Sequence, residues 1–156
     1  MFKLDNGSGI TFSKTGIKLE KKPDFYPNNG FDYIASYISK LVTYSTKFKS
    51  LIISTKDGEK ALGLDSRNGE INVGFTIEWK THPKEETSIR DYFEKLNIKP
   101  HEDYLADNGD MKGSTRLLDY NITRSEEEVT KLVKEILIKL IGITESDELK
   151  INYDET

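Results

Sequence analysis

The chain has 156 residues, of which 35% are hydrophobic and 32% are charged, and this size and composition predict a single domain with its own apolar core. Its formal net charge of −4 argues against generic binding to nucleic acid or to anionic membranes, because both need clustered lysine and arginine. The absence of cysteine excludes disulfides, thiolate nucleophiles and iron–sulfur clusters.

The N-terminal sequence lacks the pattern of a signal peptide, because an acid and a turn signal come before any apolar stretch of the required length. The longest apolar-rich stretch, 129–143, is interrupted by charged residues and is too short to span a bilayer. We therefore expect a soluble cytoplasmic protein with no membrane partner, provided that no leader has been removed from this chain.

Residues 1–20 contain short alternating runs separated by glycine-containing turns, and they predict one or two edge hairpins. Residues 21–30 carry two prolines, two asparagines and a glycine, and they predict a loop. This loop is a candidate partner-binding segment through Phe25 and Tyr26. The alternative is that both aromatic rings pack under the core.

A helix is predicted over 31–45, because Phe31, Ile34, Ile38 and Leu41 follow the spacing of one buried face. Tyrosines at positions 33, 37 and 44 lie beside that face. They form a candidate recognition surface, since tyrosine is enriched at protein interfaces. They could equally flank the core with their hydroxyl groups in water.

Residues 51–79 predict a three-strand antiparallel meander with tight turns at Asp57-Gly58 and Asn68-Gly69. Its last strand alternates strictly between an apolar and a polar face. The apolar face, which we assign to the core, consists of Ile71, Val73, Phe75, Ile77 and Trp79. The polar face, a candidate partner surface, contains Asn72, Thr76 and Glu78.

Two more helices are predicted, over 88–96 and 126–141, with a two-strand hairpin between them. The second helix begins with the capping box Ser125 to Glu128 and ends before Gly142. A closing strand is predicted at 149–153, and residues 154–156 are expected to be a frayed tail. The main body thus covers 31–153 of one domain spanning 1–156.

Motifs that would indicate a particular chemistry are missing from the sequence. His82 and His101 are the only histidines, and a solvated loop position is the expected place for each. The acidic run from Asp107 lacks the glycine and glutamate spacing of an EF-hand, and there is no phosphate-binding loop or nucleophile elbow. We predict no catalytic residue, no metal site and no cofactor.

Paired carboxylates are the chemistry left open. The chain has 27 acidic residues, so any fold will place some of them close together. Candidates near predicted strands are Asp65, Glu78, Asp119 and Glu148. Nothing in the sequence selects among them, and charge on a solvated face is the ordinary explanation.

The predicted elements define an α+β fold, an antiparallel sheet with helices packed mainly on one face. The order α-β-β-β-α-β-β-α over about 31–141 resembles that of small acidic secretion chaperones and chaperone-like bacterial domains. The resemblance lies in element order alone, so no functional residue is carried over. It implies a protein that binds another polypeptide, often as a homodimer.

Three functions therefore remain as hypotheses. The preferred one is a non-catalytic protein-binding module, either chaperone-like or an immunity-type inhibitor, whose partner is a toxin, an effector or a second copy. The alternatives are a carboxylate-dependent enzyme without a local motif and a phage-type structural or assembly subunit. The candidate partner-binding residues are Phe25, Tyr26, Tyr33, Tyr37, Asn72, Thr76 and Glu78.

Overall fold

The computed structural model describes residues 24–26, 30–78, 82–107 and 114–156. The strands are β1 (Asp24–Tyr26), β2 (Lys49–Thr55), β3 (Ala61–Arg67), β4 (Glu70–Glu78), β5 (Glu102–Asp107), β6 (Ser114–Asn121) and β7 (Leu149–Glu155). The helices are α1 (Phe31–Val42), α2 (Pro83–Lys95) and α3 (Glu126–Ile136), and a π-helical turn, Leu137–Ile141, continues α3. The hairpins predicted at 1–20 lie outside the described residues.

The strands form one antiparallel sheet in the order β1-β7-β2-β3-β4-β6-β5. This confirms the predicted α+β class, and the predicted element order from α1 to α3 is also observed. The terminal strand β7 enters the sheet between β1 and β2, so the end of the chain lies inside the sheet. Within the described residues, no helix has the length and apolarity needed to cross a membrane.

Of the two predicted tight turns of the meander, Asn68-Gly69 joins β3 directly to β4, whereas Asp57-Gly58 lies in a longer loop, 56–60, between β2 and β3. Asn68 and Gly69 have φ angles of 52° and 81°, the left-handed conformation that such a hairpin turn requires. Gly58 also has a positive φ, of 75°. The predicted core face of β4 is buried at Ile71, Val73, Phe75 and Ile77, whereas Trp79 lies outside the described residues. The meander begins at Lys49, two residues before the start predicted at residue 51.

The helices cover the face of the sheet that carries these β4 side chains. α1 and α3 pack on each other, and each contributes an apolar face to the same core. From α1 the core receives Ile34, Ile38 and Leu41, all fully buried. The amphipathic spacing read from the sequence therefore places α1 correctly, although the helix ends at Val42 rather than at residue 45.

The second helix begins earlier than predicted. α2 starts at Pro83 with His82 as its N-cap residue, five positions before the predicted start at Ser88. Pro83 interrupts a strand but suits the first turn of a helix, where its fixed φ is favourable and its missing N–H has no helical partner. Two aromatic side chains anchor α2 to the sheet, since the rings of Phe93 and Tyr120 stack with centroids 3.8 Å apart.

The two ends of the main body also differ from the sequence predictions. The predicted loop at 21–30 contains strand β1, which pairs with β7. The predicted tail at 154–156 is wrong, because Asp154 and Glu155 pair with Ser50 and Lys49 of β2. Both errors have one physical cause: the pairing partner is distant in sequence, and local composition does not reveal it.

Candidate functional site

An aromatic surface lies at the β1 edge of the sheet, where β1 meets α1. We define it as both faces of this edge: Tyr26 of β1 with Tyr33 and Tyr37 of α1 on the helix face, and Phe25 of β1 on the opposite face, in register with Lys150. The Tyr26 ring stacks on Tyr33 with centroids 4.0 Å apart and meets Tyr37 edge-on at 6.3 Å. Three of the predicted partner-binding residues, from two separate segments, thus lie together, and Phe25 lies on the other face of the same edge strand.

Burial divides this aromatic surface into exposed and supporting residues. Phe25 and Tyr33 are 41% and 45% exposed, whereas Tyr26 is half-buried and Tyr37 is only 4% exposed. The Tyr26 and Tyr37 hydroxyl groups are hydrogen-bonded at 2.8 Å. Tyr37 therefore belongs to the core, with its hydroxyl group bonded to Tyr26 rather than in water, and it fixes the position of Tyr26 from below.

Lysines surround the aromatic surface. The Lys40 ammonium lies 4.9 Å from the centroid of the Tyr37 ring, and the Lys56 ammonium lies 5.5 Å from that of Phe25. Lys150 is directly opposite Phe25 in the β1–β7 pairing. Lys56 also forms an ion pair with Glu148 at 3.4 Å. Lys56 thus places positive charge beside the exposed Phe25 ring and Lys40 beside the buried Tyr37 ring, and cation–π attraction is favourable at both.

A second feature lies on the outer face of the sheet, opposite the helices. Strand pairing brings Glu102, Asp119, Asn72 and Asp65 onto this face, across strands β5, β6, β4 and β3; we call them the carboxylate row. The Asn72 side-chain amide donates to Asp65 Oδ1 at 3.3 Å. Asp65 and Asp119 are separate carboxylate candidates in the sequence, and the sheet places both beside Asn72, a predicted partner-binding residue.

Burial and mutual repulsion disfavour the ionised form of the carboxyl groups in the carboxylate row. Burial, and to a smaller extent the neighbouring Asp65 and Glu102 charges, raise the pKa of Asp119 to about 6. Burial likewise raises the pKa of Asp65, although the hydrogen bond from Asn72 opposes this. Asp119 Oδ1 is buried without a hydrogen-bond partner. Asp119 can therefore exchange a proton close to neutral pH.

The remaining predicted residues lie near the carboxylate row. Thr76 is half-buried on the same outer face, in register with Leu117 of β6 and, beyond it, Tyr104 of β5. Glu78 ends β4, and its side chain lies outside the described residues. The predicted site residues thus divide between two surfaces at opposite sides of the sheet.

A cleft of about 240 Å³ lies between α2, β4 and the π-helical turn. Its walls include Phe75, Ile77 and Ile89, and Lys84 and Lys139 also line it. Lys139 already forms an ion pair with Glu135 at 2.8 Å. The cleft is therefore mainly apolar and offers few convergent polar groups for orienting a ligand.

Metal-binding geometry is not found in the part of the chain that the structure describes, where no group of three or more acidic or histidine side chains could hold an ion. His82 and His101 are both exposed, as predicted for loop histidines. His82 immediately precedes α2, and His101 immediately precedes β5. Comparison with models of known protein families and with curated proteins finds no match to this chain.

Sequence reasoning missed the lysines around the aromatic surface and the exposed side chains of β5. Tyr104 and Leu105 are 49% and 41% exposed. The predicted hairpin located both residues on a strand, but the strand order that makes β5 an edge could not be read from local patterns. The position of Asp65 and Asp119 near the ends of two predicted strands was the available signal for the carboxylate row.

Proposed function

We propose that this protein is a non-catalytic protein-binding module of the chaperone-like or immunity type. The observation that carries the proposal is the aromatic surface, on which Phe25 and Tyr33 remain 41% and 45% exposed. Exposed rings held at fixed positions are typical of the residues that supply most of the binding free energy at protein interfaces.

The packing of the aromatic surface supports this role. Tyr33 stacks on Tyr26, and Tyr26 is held in turn by the hydroxyl contact to the buried Tyr37. Such support reduces the conformational entropy that the exposed rings lose when a partner binds. The rings can therefore contribute contact area without a large ordering cost.

The surrounding charges indicate the kind of partner. Lys40 and Lys56 lie beside ring faces of the aromatic surface, and Lys150 is opposite Phe25. A partner that docks along the β1 edge, with apolar groups against Phe25 on one face and Tyr33 on the other and with acidic side chains near the lysines, would match both features.

Site-specific photo-crosslinking in the native host tests the proposal. A photoreactive phenylalanine analogue is introduced at position 25 or 33, and at position 44 as the control. Tyr44 is 71% exposed and lies against the turn at Gly69, outside the aromatic surface. We expect positions 25 and 33 to trap the same protein and position 44 not to trap it.

The double variant Phe25→Ala/Tyr33→Ala provides the second arm. It should bind the purified trapped protein at least about tenfold more weakly, since loss of interface aromatics commonly costs 2 kcal/mol or more. Tyr44→Ala should bind normally. Equal binding by the double variant, or no common crosslinked protein at positions 25 and 33, would contradict the proposed function.

The carboxylate row favours a second candidate, a carboxylate-dependent enzyme. A carboxyl group whose pKa is about 6, as for Asp119, suits proton transfer near neutral pH. Such an enzyme should bind a small molecule at this row. A ligand screen that raises the melting temperature of the wild type but not of Asp119→Asn would support it over the binding module.

A further inference from the structure

A second docking surface is present at the opposite edge of the sheet from the aromatic surface. β5 pairs with β6 on one side and is the last strand of the described sheet on the other. An edge strand offers a row of unpaired backbone N–H and C=O groups that can pair with another extended chain. Its middle residues, Tyr104 and Leu105, are both large and exposed.

The charges near β5 are unequally balanced on the two faces of the sheet. On the helix face, Asp103 accepts two hydrogen bonds from Arg90, at 2.8 and 3.0 Å, and one from Arg116 at 3.2 Å. On the outer face, Glu102 continues the carboxylate row. Among the described residues, no lysine or arginine forms an ion pair with Glu102, Asp119 or Asp65.

These observations select the occupant. We propose that β5 binds an extended, basic segment of a partner protein as an additional antiparallel strand. On the outer face, lysine or arginine would balance the charge of Glu102 and meet the Tyr104 ring, and on the other face apolar residues would pack against Leu105. Backbone pairing supplies affinity in this mode of binding, and alternate side chains supply specificity.

A second copy of the chain fits this edge poorly. The β5 sequence EDYLAD contains acids and no basic residue, so a second β5 strand supplies no cation to Glu102. Bringing two such acidic strands together adds like-charge repulsion, which destabilises a strand pair. A basic segment meets an attractive charge at the same position, so charge complementarity favours a different protein.

The inference does not depend on the aromatic surface, and a peptide assay tests it separately. The probe is a short fluorescent peptide that alternates lysine with valine. Binding should protect the β5 amides at 102–107 from hydrogen exchange. Two control peptides should not protect them: one with glutamate in place of lysine, and one with alternate backbone nitrogens methylated, which removes the N–H donors.

Variants of β5 complete the test. Glu102→Gln/Tyr104→Ala should bind the lysine peptide about fivefold to tenfold more weakly, the effect of losing one interface aromatic together with a charge contact. Asp91→Asn, which removes an exposed acid on α2, should bind normally. The proposal is overturned if the glutamate peptide gives equal protection, if no peptide protects 102–107, or if the protein alone protects these amides by self-association.

Discussion

The carboxyl group of Asp119 is partly buried, and this raises its pKa. Its pKa is raised to about 6 from 3.8, first by burial and then by Asp65 and Glu102. The folded protein therefore holds a proton on Asp119 at pH values where the unfolded chain has released it. This favours folding below about pH 4, and the advantage is lost as the pH rises through about 6.

The variant Asp119→Asn should remove this pH dependence. A shift of about two units corresponds to about 3 kcal/mol, which we halve to about 1.5 kcal/mol because the half-exposed side chain is screened by solvent. We expect the stability of Asp119→Asn, relative to wild type, to increase by about that amount between pH 4 and pH 7.5. Urea unfolding at both pH values measures the free energy of unfolding.

Asp91→Asn serves as the control for this measurement, because Asp91 is an exposed aspartate on α2, away from the carboxylate row. Its stability relative to wild type should change little across the same pH range. If Asp119→Asn and wild type keep a constant difference in stability from pH 4 to pH 7.5, Asp119 does not carry the raised pKa.

Lys49, the first residue of β2, links this strand to the C-terminal end of α1. Its side chain is buried, and its ammonium donates to the Lys40 carbonyl at 2.8 Å and to the Thr43 carbonyl. These carbonyls lie where the last turn of a helix leaves acceptors without partners and where the helix dipole favours a cation. The charge of Lys49 is thus compensated by the backbone.

The variant Lys49→Met keeps most of the aliphatic stem and removes the ammonium. We expect a loss of about 2 kcal/mol in the free energy of unfolding, since hydrogen bonds to charged groups contribute about 1.5–3 kcal/mol. Lys47→Met, at an exposed position in the same loop, should change stability by less than about 0.5 kcal/mol. Equal effects of the two substitutions in urea unfolding would show that Lys49 does not cap α1.

Elements whose signals are local were predictable from the sequence. The capping box of α3 is present, with Ser125 Oγ accepting from the Glu128 amide and the Glu128 carboxylate accepting from the Ser125 amide. The strict alternation of β4 likewise requires only its own residues. β1 and the end of β7 were missed because each depends on a partner strand more than 90 positions away.

The candidate sites were harder to predict than the fold for the same physical reason. Aromatic residues at 25, 26, 33 and 37 were identified individually, but the ring contacts of Tyr26 with Tyr33 and Tyr37 require β1 to lie beside α1 at the sheet edge. The carboxylate row needs the order β3-β4-β6-β5, in which β6 lies between β4 and β5. A list of strands does not contain that order.

At the scale of the whole molecule, the helices contact the sheet to different extents. α1 packs on α3 and contacts β2, β3 and β4, whereas α2 contacts β4 and the π-helical turn. The link from α2 to the sheet depends on Phe93, which is fully buried and contacts Phe75 as well as Tyr120. Ion pairs from Arg90 to Asp103 add a link to β5.

The variant Phe93→Ala should therefore affect one half of the molecule more than the other. Truncating a buried phenylalanine removes about 3–5 kcal/mol of stability through lost burial and a residual cavity. Because Phe93 is the main aromatic anchor of α2, we expect hydrogen exchange to accelerate more in α2, β5 and β6 than in α1, α3 and β2. Phe93→Leu, which fills most of the space, should cost less than about 1.5 kcal/mol. Equal acceleration in both halves would instead mean that the sheet and all three helices open as one cooperative unit.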